Sequence, residues 1–306
     1  MNKRRRGLVL GAGGYLGAAW SVGALSAMRD VLGWELGEAD LVVGTSAGAV
    51  LAALLRAGKS VRELCGERAA FDLAEQPCWP GAPSFGVGSK PLAWRAVCPP
   101  WSVSPFAVCA ALLPRGRGSL ASVGSLVGRA RPGPRWPANT WTVAMNYDTG
   151  SRTVFGRPEG PRSSLARAVM ASCAVPVWYA PVRVRGVPYV DGAVCSPCNA
   201  DLLAGEALDE VYVLAPMASR HLDRPAGALA RLERLWRRVV TRRTLREVAR
   251  LQEGGARVHL LTPNAEDLEL MGANMMDGTR RHDVLQLARE TVSRALRSAR
   301  RRLAAA

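Results

Sequence analysis

The chain has 306 residues, 48% of them hydrophobic, and a formal charge of +16 with a pI near 10.6. That length suffices for one large α/β domain or two small ones with a sizeable core. The basic residues are all arginine except Lys3, Lys59 and Lys90, and no zinc finger, RNA-recognition signature or aromatic–basic interleaving accompanies them, so no nucleic acid partner is expected. No apolar run reaches the ~18 residues needed to span a bilayer.

Gly7-Leu8-Val9-Leu10 reads as a first strand, and Gly11-Ala12-Gly13-Gly14-Tyr15-Leu16-Gly17 as a glycine loop that opens a helix ending near Gly33. Lys3-Arg4-Arg5-Arg6 imitates the start of a secretory signal. Gly11, Gly13, Gly14 and Gly17 break the apolar stretch behind it, and a cytoplasmic chain is expected. A glycine turn between strand and helix also cradles dinucleotides. Here the G-x-G-x-x-G spacing fails, because Leu16 is sixth from Gly11, and no acidic residue follows the second strand, so no cofactor is expected.

That second strand is Leu41-Val42-Val43, followed at once by Gly44-Thr45-Ser46-Ala47-Gly48 and then by strong helix formers over 49–55. Gly-x-Ser-x-Gly between strand and helix is the layout of a nucleophile elbow, with the Ser46 hydroxyl at the strand's carboxyl end and the helix's free N–H groups aimed at the same spot. The motif is short and made of common residues, so the rest of the chain must supply a base and an oxyanion hole.

Residues 60–75 carry helical spacing in Val61, Leu64, Cys65, Ala69 and Leu73. Eleven of the 20 prolines fall between 77 and 137 with Trp79, Trp94, Trp101 and Trp136, which gives an irregular cap or lid with short helices near 105–113 and 120–129. Segments 141–146 and 152–155 read as a hairpin, 163–172 as a helix, and 181–190 as a second hairpin that turns at Arg185-Gly186 and runs into Asp191-Gly192-Ala193. Two more strands are expected at 210–215 and 256–262. Strands alternating with helices predict a three-layer α/β/α fold with a mostly parallel central sheet.

Leu232, Leu235, Trp236, Val239 and Val240 form a stripe opposite Arg231, Arg234, Arg237, Arg238, Arg242 and Arg243. The expectation is a helix packed on the core with its arginines in water, although a membrane-surface helix has the same pattern. The last helix repeats it, with Leu285, Ala288, Val292, Leu296, Ala299 and Leu303 inward and Arg294, Arg297, Arg300, Arg301 and Arg302 outward. The seven cysteines form no framework, and the lone Cys195-x-x-Cys198 pair is expected as free buried thiols without a metal.

A serine nucleophile needs a general base within hydrogen-bond reach. His221, His259 and His282 are the only histidines, and none sits in a glycine-rich turn at a sheet edge. Asp191 follows a strand and precedes the small Gly192 and Ala193, and a partly desolvated carboxylate can take a serine proton directly. Asp-Gly is also a common turn dipeptide.

The loop at 12–17, the elbow at 44–48 and the turn at 191–193, in that order, resemble the patatin-like phospholipases over roughly residues 7–215. Ala171-Ser172-Cys173-Ala174-Val175-Pro176 is similar to that family's helix end before the aspartate hairpin. The resemblance implies a patatin-like catalytic domain over 7–215; the Pro/Trp-rich segment at 77–137 is expected as a cap or lid within it, and the basic helices plus one strand over 216–306 are expected to complete the same domain. It implies Ser46 as nucleophile, Asp191 as proton acceptor, and the backbone N–H groups of Gly13 and Gly14 as oxyanion hole, with Ala12, Gly17, Gly44, Gly48, Gly192 and Ala193 as motif positions. The implied activity is hydrolysis of phospholipid or acylglycerol esters through an acyl-enzyme. Ala12 stands where the family's loop usually begins with glycine, so either Gly11 takes a left-handed backbone or the loop differs in shape. Leu16 stands where many bacterial members carry Arg or Lys, which would remove a headgroup contact. A general esterase or acyltransferase on the same dyad stays open as an alternative. So does a non-catalytic membrane-surface protein that retains the fold. The expected partners are a lipid ester and, peripherally, an anionic membrane surface.

Overall fold

The computed structural model describes residues 4–66, 88–97, 105–221 and 227–305. Among them, β1 (Arg6–Leu10), β2 (Leu41–Thr45), β3 (Thr140–Asn146), β4 (Arg152–Phe155), β5 (Val182–Val184), β6 (Val187–Asp191), β7 (Glu210–Leu214) and β8 (Arg257–Leu261) form one sheet. Strands β3, β2, β1, β7 and β8 are parallel neighbours in that order, and β4, β5 and β6 join through antiparallel pairs. The helices are α1 (Gly14–Leu32), α2 (Ala47–Arg56), α3 (Val61–Gly66), α4 (Lys90–Val97), α5 (Pro105–Leu112), α6 (Ala121–Ala130), α7 (Leu165–Ser172), α8 (Ala228–Glu253), α9 (Ala265–Met271) and α10 (Arg281–Ala305).

The central strands are continuous apolar runs because helices cover both faces. Leu8 and Leu10 of β1 pack with α1, α2 and α10, whereas Val9 between them packs on the opposite face with Val240 and Leu251 of α8. Each such fully buried side chain contributes about 1.5–3 kcal/mol. Helix α1 stops where the sequence suggests, with Gly33 at φ 64° donating its N–H to the Arg29 carbonyl. The two predicted hairpins are present, and Arg185 and Gly186 turn the second at φ 50° and 83°. The helix expected over 163–172 begins at Leu165, because the Ser164 side chain caps it by accepting from the Arg167 N–H.

The pairing of β3 decides where the elbow lies. β4 covers one edge of β3 over Thr142–Met145. The other edge is shared: β2 pairs up to Thr45 opposite Val143, and β6 ends with Asp191 opposite the next residue, Ala144. Since β6 runs antiparallel to β3, the carboxyl ends of β2 and β6 meet head to head.

In the cap region, α5 and α6 lie close to the predicted helices, while α4 was not foreseen. Pro91 argues against a helix there, but in the first turn its missing N–H has no intrahelical partner to lose. Of the helix expected over 60–75, α3 is the described part, and the remainder lies outside the described residues, as do Trp79 and Trp101. Leu285, Ala288, Val292 and Leu296 of α10 are buried as expected, and Ala299 is exposed.

The expectation for α8 holds only in part: Arg231, Arg238 and Arg242 are exposed as expected, but the apolar stripe is not what turns inward. Arg237 is only 3% exposed and Arg234 is buried too, whereas Leu232 and Leu235 are 64% and 55% exposed and Trp236 and Val239 also face outward. Only Val240 of the predicted stripe is buried. The reason is what α8 packs against. Its first half covers loops at the carboxyl end of the sheet, whose backbone carbonyls need donors. The Arg237 guanidinium donates to the Pro216 carbonyl at 2.7 Å and pairs with Glu233 at 2.7 Å. Arg234 donates to the Leu268 carbonyl at 3.2 Å. Among the described residues no helix is long and apolar enough to cross a membrane.

Candidate active site

Ser46 links β2 to α2 with φ 54°, a left-handed conformation that a serine adopts only where the surroundings enforce it. Two glycines make the turn sterically possible. A Cβ on Gly48 would run into the Leu10 carbonyl of β1, and one on Gly44 would lie 2.6 Å from the Ala49 Cα. Ser172, at the end of α7, holds the turn in place. Its hydroxyl donates to the Val143 carbonyl at 2.6 Å and accepts the Ser46 N–H at 2.8 Å. Ser172 lies in the stretch similar to the family's helix end, where the sequence alone assigns it no role. The only signal was its position at a helix end ahead of Asp191.

Asp191 is 2% exposed. Its Oδ1 accepts the Ala193 N–H at 2.7 Å, its own N–H donates to the Ala174 carbonyl at 2.9 Å, and its carboxyl lines one cavity with Ser46. Burial pushes the carboxyl up from 3.8 to about 7, against the lowering effect of the Ser46 side chain and the Ala193 N–H. Gly192 is required next to it, because a side chain there would run into the Val143 carbonyl. Ala193 follows in a short 3₁₀ turn and lines the same cavity as Asp191.

The loop ahead of α1 is fixed at both ends. Gly11 donates to the Leu214 carbonyl at 2.9 Å and Ala12 to the Pro197 carbonyl at 2.8 Å. Beyond it, Gly17 donates to the Gly13 carbonyl at 2.8 Å and Leu16 to the Met275 carbonyl at 3.1 Å. The left-handed residue is Gly14, at φ 57°, while Gly13 is extended at φ 178°. Neither Ala12 nor Gly11 has a positive φ, so Ala12 fits without strain and the loop differs from the proposed Gly11 arrangement. Among the described residues, the N–H groups of Gly13 and Gly14 have no acceptor within the chain. Both residues line a cavity with Ser46 and Asp191. Leu16 is fully buried in the core and lines neither cavity, so it offers no headgroup contact.

That cavity is about 490 Å³, and its walls are mostly apolar, including Phe106, Leu113, Val175, Trp236 and Val239. A smaller cavity of about 60 Å³ also borders Ser46, walled by Val50, Leu51, Leu120 and Val123 with Tyr15 and Tyr179. Cys173 lines this smaller cavity with Ser46, but burial, and then the neighbouring Asp191, raise its thiol well above the usual value, so it stays neutral.

The histidines lie elsewhere. His221 and His282 are exposed, and His259 stacks on Tyr212 at 4.5 Å and bonds Glu210 at 2.8 Å. None lines either cavity. Among the described residues no group of three or more His, Cys, Asp or Glu could hold a metal ion. Cys195 and Cys198 are unpaired and buried, with burial pushing their thiols up to about 11 and about 12.

The chain was compared with known proteins. The family model described as Patatin-like phospholipase matches residues 8–204. No curated protein matches. Among solved structures, VipD from Legionella pneumophila is similar at 14% identity, over 97% of this chain and 67% of that one, with a TM-score of 0.49. The type III effector protein ExoU is similar at 16% identity, over 96% of this chain and 53% of that one, with a TM-score of 0.41. The chain thus spans about half the length of the ExoU chain.

Proposed function

The chain belongs to the patatin-like phospholipase family, and from that premise we propose that it is a serine acyl hydrolase that cleaves carboxylic esters of lipids with Ser46 and Asp191, without a histidine. Asp191, ionised above about pH 7, accepts the Ser46 proton as the hydroxyl attacks the ester carbonyl. The N–H groups of Gly13 and Gly14 receive the oxyanion, and such donors contribute about 2.7–4 kcal/mol each to the barrier. The proton passes from Asp191 to the departing alcohol, leaving an acyl group on Ser46. Water, activated by Asp191, then releases the acid. The observation that supports this reading most is the buried Asp191 carboxyl lining one cavity with Ser46, Gly13 and Gly14, with its ionisation raised into the range where a base is useful.

The cavity walls support a substrate class. A mostly apolar cavity of about 490 Å³ suits a hydrocarbon chain, so phospholipid or acylglycerol esters are the proposed substrates. The test is incubation with phosphatidylcholine, phosphatidylglycerol and triacylglycerol in ¹⁸O-labelled water, with products identified by mass. Free fatty acid carrying one labelled oxygen is expected, since water resolves the acyl-enzyme. Acyl transfer to an added alcohol in preference to water would make the protein an acyltransferase. Release of no fatty acid by the folded chain would defeat the enzyme reading.

A further inference from the structure

The wall of the Ser46 cavity continues outward into a face that the fold leaves apolar. Trp236 and Val239 line the cavity and are themselves exposed to solvent. Leu232 and Leu235 continue the stripe toward the amino end of α8, so that 232, 235, 236 and 239 share one side of the helix. On α5, Phe106 meets Trp236 edge-on at 5.0 Å. Leu113, just past α5, lines the same cavity and is also exposed. Apolar side chains of this size, contiguous with a cavity mouth, mark a contact surface rather than scattered exposure.

The charge around the stripe narrows the partner. Arg238 and Arg242 stand three and seven residues beyond Leu235, in the adjoining row of the helix, and both are exposed. The whole chain carries +16. A second copy of the chain would bring the same arginine rows against each other, since a two-fold contact pairs a patch with itself. A bilayer with anionic headgroups meets both features, with negative charge at the arginines and hydrocarbon beneath the leucines and tryptophan.

We propose that the outer face of α8, with Leu113 and the end of α5, docks the protein on anionic lipid bilayers and holds the cavity mouth at the membrane. A lipid ester then reaches Ser46 without its chains crossing water. The purpose of this contact rests on the acyl hydrolase reading, but the contact itself does not.

Vesicle flotation of the full chain carrying Ser46→Ala measures docking without hydrolysis. The chain is expected to float with vesicles of phosphatidylcholine and phosphatidylglycerol, more weakly with phosphatidylcholine alone, and less as salt rises. Adding Leu232→Glu and Leu235→Glu should lower partition by roughly tenfold or more. These two side chains line neither cavity. In the Ser46 background the same pair should therefore keep hydrolysis of a water-soluble short-chain ester within about twofold. Absence of flotation by the folded chain, equal flotation by the double variant, or a dimer that the double variant dissolves would overturn the proposal. Flotation without any soluble-ester hydrolysis by the Ser46 chain would leave docking standing and defeat the hydrolase reading instead.

Discussion

Asp191→Asn is expected to lower ester hydrolysis by a factor on the order of 10⁴ and, at pH 8, to yield a more stable chain than the wild type. Both effects come from the same carboxylate. Asparagine still accepts the Ala193 N–H through its oxygen, so the end of β6 keeps its shape, but it cannot take the Ser46 proton. The wild-type rate should rise with pH through about 7 as Asp191 ionises, and the residual rate of the variant should lack that rise. Stability runs the other way. Between 3.8 and about 7 the folded chain holds a proton on Asp191 that the unfolded chain has released, so wild-type stability falls as pH rises through that window. Above it, the charged carboxylate costs the fold on the order of 4 kcal/mol. Denaturant unfolding at pH 4 and pH 8 should show the variant gaining on the wild type between the two. A constant difference would mean that Asp191 is ionised throughout and is not the desolvated base described above.

Gly48→Ala should damage both fold and rate. The added methyl would meet the Leu10 carbonyl and lie 2.8 Å from the Gly11 carbonyl oxygen, and backbone atoms cannot rotate away as a side chain can. Overpacking of this kind costs about 1–3 kcal/mol or more. Relief requires α2 to lift from β1, which moves Ser46, and a shift of about 1 Å at a reacting group lowers the rate roughly 10²-fold. A lower melting temperature with at least that loss of hydrolysis is expected. Gly66→Ala is the control, because among the described residues a Cβ there meets nothing, and it should change stability by no more than about 0.5 kcal/mol. Equal effects at the two positions would mean that the elbow does not depend on close contact with β1.

The parts legible in the sequence are those that a few adjacent residues determine. Gly44-Thr45-Ser46-Ala47-Gly48 encodes a strand-to-helix turn locally, because its glycines are the residues that the contact with β1 and the start of α2 require. The two hairpins follow from alternation and turn residues in the same way. What brings Ser46 to Asp191 is not local. It depends on β2 and β6 sharing one edge of β3 end to end, with Val143 and Ala144 as successive partners, a register that no spacing in the chain reveals. Ser172 escaped for the same reason, since its partners Ser46 and Val143 are 126 and 29 residues away.

Helix α8 misled in a different way. Its two-faced pattern is plain, but a pattern says only that two faces differ, not which one turns inward. The usual assumption holds when the inner surface is a layer of side chains. Here the first half of the helix meets carbonyls such as that of Pro216, and guanidinium groups satisfy them where leucines could not. With Arg234 and Arg237 turned inward, Leu232 and Leu235 are left outside.

The central claim is that Ser46 is a nucleophile activated by a carboxylate. Its most direct test is reaction of the folded chain with a fluorophosphonate, followed by peptide mapping. One adduct on the Ser46 peptide is predicted, absent from Ser46→Ala, forming more slowly as pH falls through about 7. No adduct in the folded wild type, or equal labelling of Ser46→Ala, would contradict the account.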